Sequence, residues 1–167
     1  MTISTEQKVI FRGRSPDKKK DYLKLKRANI RTIISLWGEV QPPENYIKNL
    51  EMNLYYLPVT DPFPPSLQIV EQSIHILNNP ENLPAYIHCH AGLERTGTII
   101  TCYRIFHGIN IEQALIMQRK EVNFDLKDSA YEEVIKNYSL KIQEIQSEEI
   151  SKLRKKSSFA IIRIFRF

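Results

Sequence analysis

The stretch His88-Cys-His-Ala-Gly-Leu-Glu-Arg-Thr-Gly97 puts a thiol, a guanidinium and a glycine-containing turn within ten residues. A strand pattern ends at Cys89 and a helix pattern opens at Arg95. The backbone N–H groups of 90–95 and the start of that helix should therefore face one concavity. Unpaired N–H groups at the positive end of a helix dipole make an anion site. The planar fork of Arg95 matches two oxygens of a phosphate-sized dianion. The same field favours a thiolate over a thiol at Cys89, and the thiolate is the nucleophilic form. In-line attack on phosphorus would give a cysteinyl-phosphate that water later hydrolyses. Arg95 and the loop amides would hold the equatorial oxygens throughout.

The elements that must position this loop alternate along the chain. Strand patterns fall at 8–11, at the apolar run 32–37, at 54–59 and at 85–88, and Pro58 predicts an end or edge position for the third. Helix patterns fall at 17–28, with Asp17 as a possible cap, in a short stretch after Pro42-Pro43, at 66–77 behind Ser66, and at 95–106, 111–122 and 128–152. Residues 60–65 hold three prolines and must be a loop of limited flexibility. Alternation of this kind predicts an α/β fold, a central mostly parallel sheet of four to five strands flanked by helices. One domain over 1–153 is expected, followed by a tail, 154–167, that mixes basic and apolar residues.

The 167 residues carry 24 Lys+Arg against 19 Asp+Glu, a net charge of +5, and two cysteines. A chain of about 150 residues buries roughly 68–70% of its unfolded surface, enough for a core without staples. Two cysteines exclude a disulfide scaffold and fit a reducing compartment. The start lacks the apolar centre of a secretory signal and no run reaches the ~20 apolar residues of a spanning helix, so a cytoplasmic setting, or delivery into one, is expected. The charge excess favours anionic partners; nucleic acid is not expected among them. His75 and His107 lack metal-ligand spacing, and no metal or cofactor is expected. Cys102 reads as a buried helix residue, Trp37 as core, and Lys18 to Lys20 as a solvated helix face. Arg12 and Arg14 read as surface residues, one of which could reach a second phosphate.

Cys89, five residues, Arg95 and Thr96 resemble the Cys-x5-Arg-Ser/Thr signature of cysteine-dependent protein-tyrosine and dual-specificity phosphatases, and His88, Ala91, Gly92 and Gly97 extend the likeness. The resemblance implies a compact dual-specificity-phosphatase-like domain. It makes Cys89 the nucleophile, Arg95 the phosphate ligand, Thr96 the hydroxyl that assists breakdown of the intermediate, and His88 a support for the cysteine. His90, Ala91, Gly92, Leu93, Glu94 and Arg95 become the substrate loop. The general acid of that family is an aspartate on a loop after an upstream strand, and Asp61, 28 residues before Cys89, occupies that place. The prolines around it suit a semi-rigid flap.

Glu94 departs from the small residue usual before the arginine. It either faces outward and orients a basic side chain or, as in myotubularin and Sac-type phosphoinositide phosphatases, supplies a second proton donor. His90 would lie on the rim. Val59-Thr-Asp-Pro-Phe-Pro-Pro65 is similar to a stretch of bacterial tyrosine-phosphatase-like inositol phosphatases, with Pro62 replacing their histidine. Phosphorylated protein is therefore the first substrate class, with an inositol polyphosphate or phosphoinositide as the alternative. A silent phosphate-binding module and a rhodanese-like sulfur carrier are rivals of other classes. The tail offers a possible peripheral membrane contact, and the chain is expected to be a monomer.

Overall fold

The computed structural model describes the backbone of residues 2–5, 8–127 and 129–164, and side chains over 10–127 and 129–152. Five strands, β1 (Thr2–Thr5), β2 (Lys8–Gly13), β3 (Thr32–Trp37), β4 (Asn53–Val59) and β5 (Ala85–His88), form one sheet in the order β1-β2-β5-β3-β4. Only β1 runs antiparallel, against β2; the other three pairings are parallel. The expected α/β architecture is therefore present. Ser35 and Gly13 both pair with His88, so β5 is the central strand.

Six helices pack around the sheet: α1 (Lys19–Arg27), α2 (Glu44–Asn49), α3 (Leu67–Asn78), α4 (Glu94–Phe106), α5 (Ile111–Val122) and α6 (Ala130–Ile164). Side chains alternate across a strand, so the apolar run of β3 serves two cores. Ile34 and Leu36 join Val70 and Leu77 of α3, Ile99 and Ile100 of α4, and Ile135 and Tyr138 of α6. Ile33 faces the opposite layer with Tyr22 of α1 and Ile47 of α2. This two-sided burial is why 32–37 lacks a polar face. Helix α4, which opens at the catalytic-type loop, is buried along almost its whole length.

Local signals act largely as their chemistry predicts. Ser66 Oγ accepts from the Ile69 amide at 3.3 Å and Asn110 Oδ1 from the Gln113 amide at 2.9 Å, each capping a helix. Pro58 lies near the end of edge strand β4. Asp17 does not cap α1: Lys18 takes that position, and the Asp17 carboxylate instead accepts from Ser15 Oγ and Arg14. α6 continues past residue 153, because no Gly or Pro interrupts 130–164. The expected membrane contact of 154–167 rests on side chains outside the described residues.

Parallel strands β2, β5, β3 and β4 send all their C-terminal ends to one edge of the sheet. The loops beginning at Arg14, Cys89, Gly38 and Thr60 gather there, as ligand-binding loops do in open α/β sheets. Because β5 is the central strand, Ile87→Ala should lower the unfolding free energy by about 2–5 kcal/mol, while Leu140→Ala, on an exposed face of α6, should stay within about 0.5 kcal/mol. Urea denaturation checks both.

Candidate active site

Cys89 directly follows β5 with its side chain buried, and the Gly92 amide donates to Cys89 Sγ at 3.3 Å. The loop curls around that sulfur because its carbonyls are tied on the outside. His90 O accepts from the Ser15 amide at 2.9 Å, and Gly92 O and Leu93 O accept from Arg12 Nη2 at 2.6 and 3.2 Å. Gly92 has φ +78°, and a Cβ there would collide with the Gly13 carbonyl. Only glycine satisfies both demands.

Arg95, buried on the first turn of α4, turns back toward the strand ends. Its Nη1 donates to both oxygens of Glu39, at 2.9 and 3.2 Å, and to Val59 O at 2.7 Å. Its Nη2 lies 3.5 Å from Asp61 Oδ1, while Nε has no hydrogen-bond partner among the described residues. Burial opposes its charge, but the Glu39 hydrogen bond and the charges of Cys89, Glu39 and Asp61 prevail and hold the guanidinium above its ordinary value.

Glu39, on the loop after β3, also accepts the Asp61 amide at 2.5 Å. Burial would raise its pKa, but the Asp61 amide and Arg95 outweigh it and hold Glu39 below the usual carboxylate range. One carboxylate thus fixes the arginine and the flap together. The flap has a second anchor, Tyr131 of α6, whose hydroxyl donates to Pro62 O at 2.9 Å. Burial, then the charges of Glu94 and Asp61, pushes the Tyr131 phenol up to about 12, so it remains a donor.

Glu39 and Tyr131 are site residues that the sequence does not single out, since each reads as ordinary there; the signal for Glu39 is its place just past the C-terminal end of an apolar strand. Arg12 is not a surface residue reaching for phosphate, because its guanidinium is buried against the loop. Trp37 is not core. It ends β3 half-buried, and its indole stacks on exposed His90 with ring centroids 5.1 Å apart.

The remaining expected residues are placed as follows. His88 is buried and its Nδ1 lies 3.1 Å from Cys89 O, with Nε2 unpartnered. Burial brings its pKa down to about 4, so the ring is neutral and donates to that carbonyl. Thr96 is fully buried and its hydroxyl has no partner among the described residues, Cys89 Sγ included. Ala91 is exposed on the loop crest and Leu93 half-buried at its end. Glu94 opens α4 and is half-buried; it orients no basic side chain by an ion pair among the described residues. Cys102 lies in the core, where burial pushes its thiol up.

Residues 3–137 match the family model described as DSP-PTPase phosphatase fused to NAD+ kinase. The chain is 30% identical over 101 residues to inositol diphosphatase SIW14 of Saccharomyces cerevisiae, covering 57% of this chain and 36% of that protein. It is 39% identical over 87 residues to inositol diphosphatase DSP3 of Arabidopsis thaliana, covering 48% of this chain and 42% of that one. The match thus spans about two fifths of these relatives. In fold, the SIW14 catalytic core in complex with citrate superposes with a TM-score of 0.66 at 24% identity, over 84% of this chain and 87% of that one. PTPMT1 in complex with PI(5)P superposes with 0.71 at 20% identity, over 82% and 94%.

A buried neutral histidine makes the fold acid-sensitive. His88 is held below its ordinary 6.5, so on acidification the unfolded chain takes up a proton that the folded one refuses. The stability it confers is complete above about pH 6.5 and is lost as pH falls toward about 4, a few kcal/mol in all. Denaturant unfolding of the wild type should therefore weaken across that window, and His88→Asn should flatten the slope. An unchanged slope would show that His88 is charged in the folded state.

Proposed function

Because the chain belongs to the DSP-PTPase phosphatase family, we propose that it hydrolyses phosphate monoesters through a phosphoryl group carried transiently on Cys89. The observation that carries this is the buried sulfur that accepts the Gly92 amide inside a loop whose carbonyls are tied on its outer side. Amides that turn inward there serve an anion.

The arginine suits the same purpose. Glu39 and Val59 O engage Nη1, which leaves Nε, together with Nη2 once its 3.5 Å contact with Asp61 gives way, to grip two phosphoryl oxygens. The Cys89 thiolate attacks phosphorus in line, the bond to the ester oxygen breaks, and Asp61 gives that oxygen a proton. Water then attacks the cysteinyl-phosphate, Asp61 takes its proton, and the sulfur leaves as thiolate. The unpartnered Thr96 hydroxyl can donate to that sulfur as it departs. His88 holds the Cys89 carbonyl and thereby the loop entrance. No step calls on a metal or cofactor.

For substrate, phosphorylated protein is the broad family expectation. A specific feature favours a second reading, a polyphosphorylated small molecule such as an inositol phosphate: a cleft of about 470 Å³ lined by Arg14, Lys18, Lys20 and Lys24, whose four cations outnumber the Asp17 and Asp21 carboxylates paired there with Arg14 and Lys24. The SIW14 and DSP3 inositol diphosphatases point the same way. A panel of phosphotyrosine peptide, phosphothreonine peptide, inositol hexakisphosphate and phosphoinositide decides between them.

Cys89→Ser should cost at least about a thousandfold in turnover of p-nitrophenyl phosphate measured with EDTA. Asp61→Asn should cost about 10²–10⁴-fold on alkyl phosphates and less on p-nitrophenyl phosphate, whose leaving group needs little protonation. Glu39→Gln should lower kcat/KM on the order of a hundredfold through a misplaced Arg95. Wild-type protein inert on every ester between pH 5 and 7.5 would make the chain a phosphate-binding module instead.

A further inference from the structure

Arg12 takes no part in the bond changes above, yet its guanidinium is buried beneath the loop, with only 6% of the residue exposed. Taking a cation out of water is costly unless its donors are well paired. Burial draws Arg12 down to about 10, with the Glu121 charge opposing the fall. Both its Nη atoms are paired, and Nε has no hydrogen-bond partner among the described residues. Nη2 donates to Gly92 O and Leu93 O, Nη1 donates to Gln118 Oε1, and Glu121 Oε2 lies 3.9 Å from Nη1. Glu121 in turn pairs with Arg104 of α4, and fully buried Gln118 also reaches Leu93 O at 3.5 Å. The guanidinium is thus fixed from α5 and spends one nitrogen on two loop carbonyls.

A trans peptide unit is planar, with its C=O and the following N–H pointing opposite ways. Holding Gly92 O outward therefore turns the Leu93 amide inward, and holding Leu93 O outward, which Arg12 shares with the Gly97 amide of α4 at 2.9 Å, does the same for the Glu94 amide. The Ser15 amide on His90 O aims the Ala91 amide likewise. Glycine at 92 allows the two segments to touch, since a Cβ there would strike the Gly13 carbonyl.

We propose that Arg12 is a positioning residue for the phosphate loop: through Gly92 O and Leu93 O it aims the Leu93 and Glu94 amides at the bound phosphoryl group, and Gln118 sets its own direction. The inference rests on the phosphate-site reading of the loop, but not on turnover. Methionine in place of Arg12 fills space without donating; lysine keeps one charge and cannot hold both carbonyls and Gln118 together.

The test uses the full chain with Arg12→Met, Arg12→Lys and Gln118→Leu. It reads inorganic phosphate affinity by calorimetry, Cys89 alkylation by iodoacetamide at pH 6.5, and kcat and KM. Arg12→Met, folded by circular dichroism, should bind phosphate about tenfold or more weakly, alkylate more slowly and lose about 10²–10³ in kcat, the cost of misaimed oxyanion donors. Arg12→Lys should recover part of each loss, and Gln118→Leu should shift all three in the same direction by less. An Arg12→Met protein that loses stability while keeping phosphate affinity and kcat within twofold would overturn the proposal. If that variant does not fold, Arg12→Lys with wild-type phosphate affinity and alkylation overturns it equally. Repeating the calorimetry in a Cys89→Ser background separates the two readings: weaker phosphate binding on loss of Arg12, with no wild-type turnover of any ester, upholds this inference and removes only the hydrolytic one. Wild-type protein that binds no phosphate removes both.

Discussion

An anion site built from backbone amides exists only if something else takes up the carbonyls of the same peptide units. Planarity makes the two inseparable: each N–H aimed into the cradle sends a C=O outward, where a buried oxygen without a donor would be costly. The end of β2 and the loop that follows it supply those donors, through the Arg12 guanidinium and the Ser15 amide. The strand beside β5 therefore does more than extend the sheet. Its end is the outer wall of the loop, and residue 92 is glycine because a Cβ there would strike the Gly13 carbonyl, whereas a Cβ at 13 would strike the Tyr86 side chain.

A second constraint concerns charge. Arg95 faces two carboxylates, Glu39 and Asp61, and a carbonyl, so its direction is set before any phosphate arrives. The Glu39 carboxylate spans the loop after β3 and the flap after β4, while Tyr131 ties the flap to α6. Three segments distant in the chain are thereby made to agree on where one guanidinium points. Such preorganisation is what an enzyme of this family needs, since little reorganisation is left for the reaction itself. Parallel strand order is what brings these segments to one edge.

The cysteine loop was legible because its parts are local: a sulfur, a turn and a guanidinium within seven positions leave few other arrangements. Ser66 and Pro58 were legible for the same reason, each acting on its own neighbourhood. Arg12 and Glu39 were not, because their partners lie 80 and 56 residues away, and a charged residue beside a strand end looks like surface until the partner strand is known. Trp37 continues an apolar run and so resembles core; at the C-terminal end of β3 it emerges onto the site edge instead. β1 has one apolar residue in four and shows itself only through its pairing with β2. Helix α6 meets no Gly or Pro between 130 and 164, so the change in composition near 154 does not end it.

All of this converges on one sulfur. Acid-quenched protein in steady-state turnover of a phosphate monoester, digested and analysed by mass spectrometry, should carry a phosphoryl group on the peptide containing Cys89 and on no other, with more of it trapped when Thr96 is replaced by Ala. Hydrolysis that proceeds with no phosphorylated Cys89 peptide at any quench time, or with the label on another residue, would contradict the account.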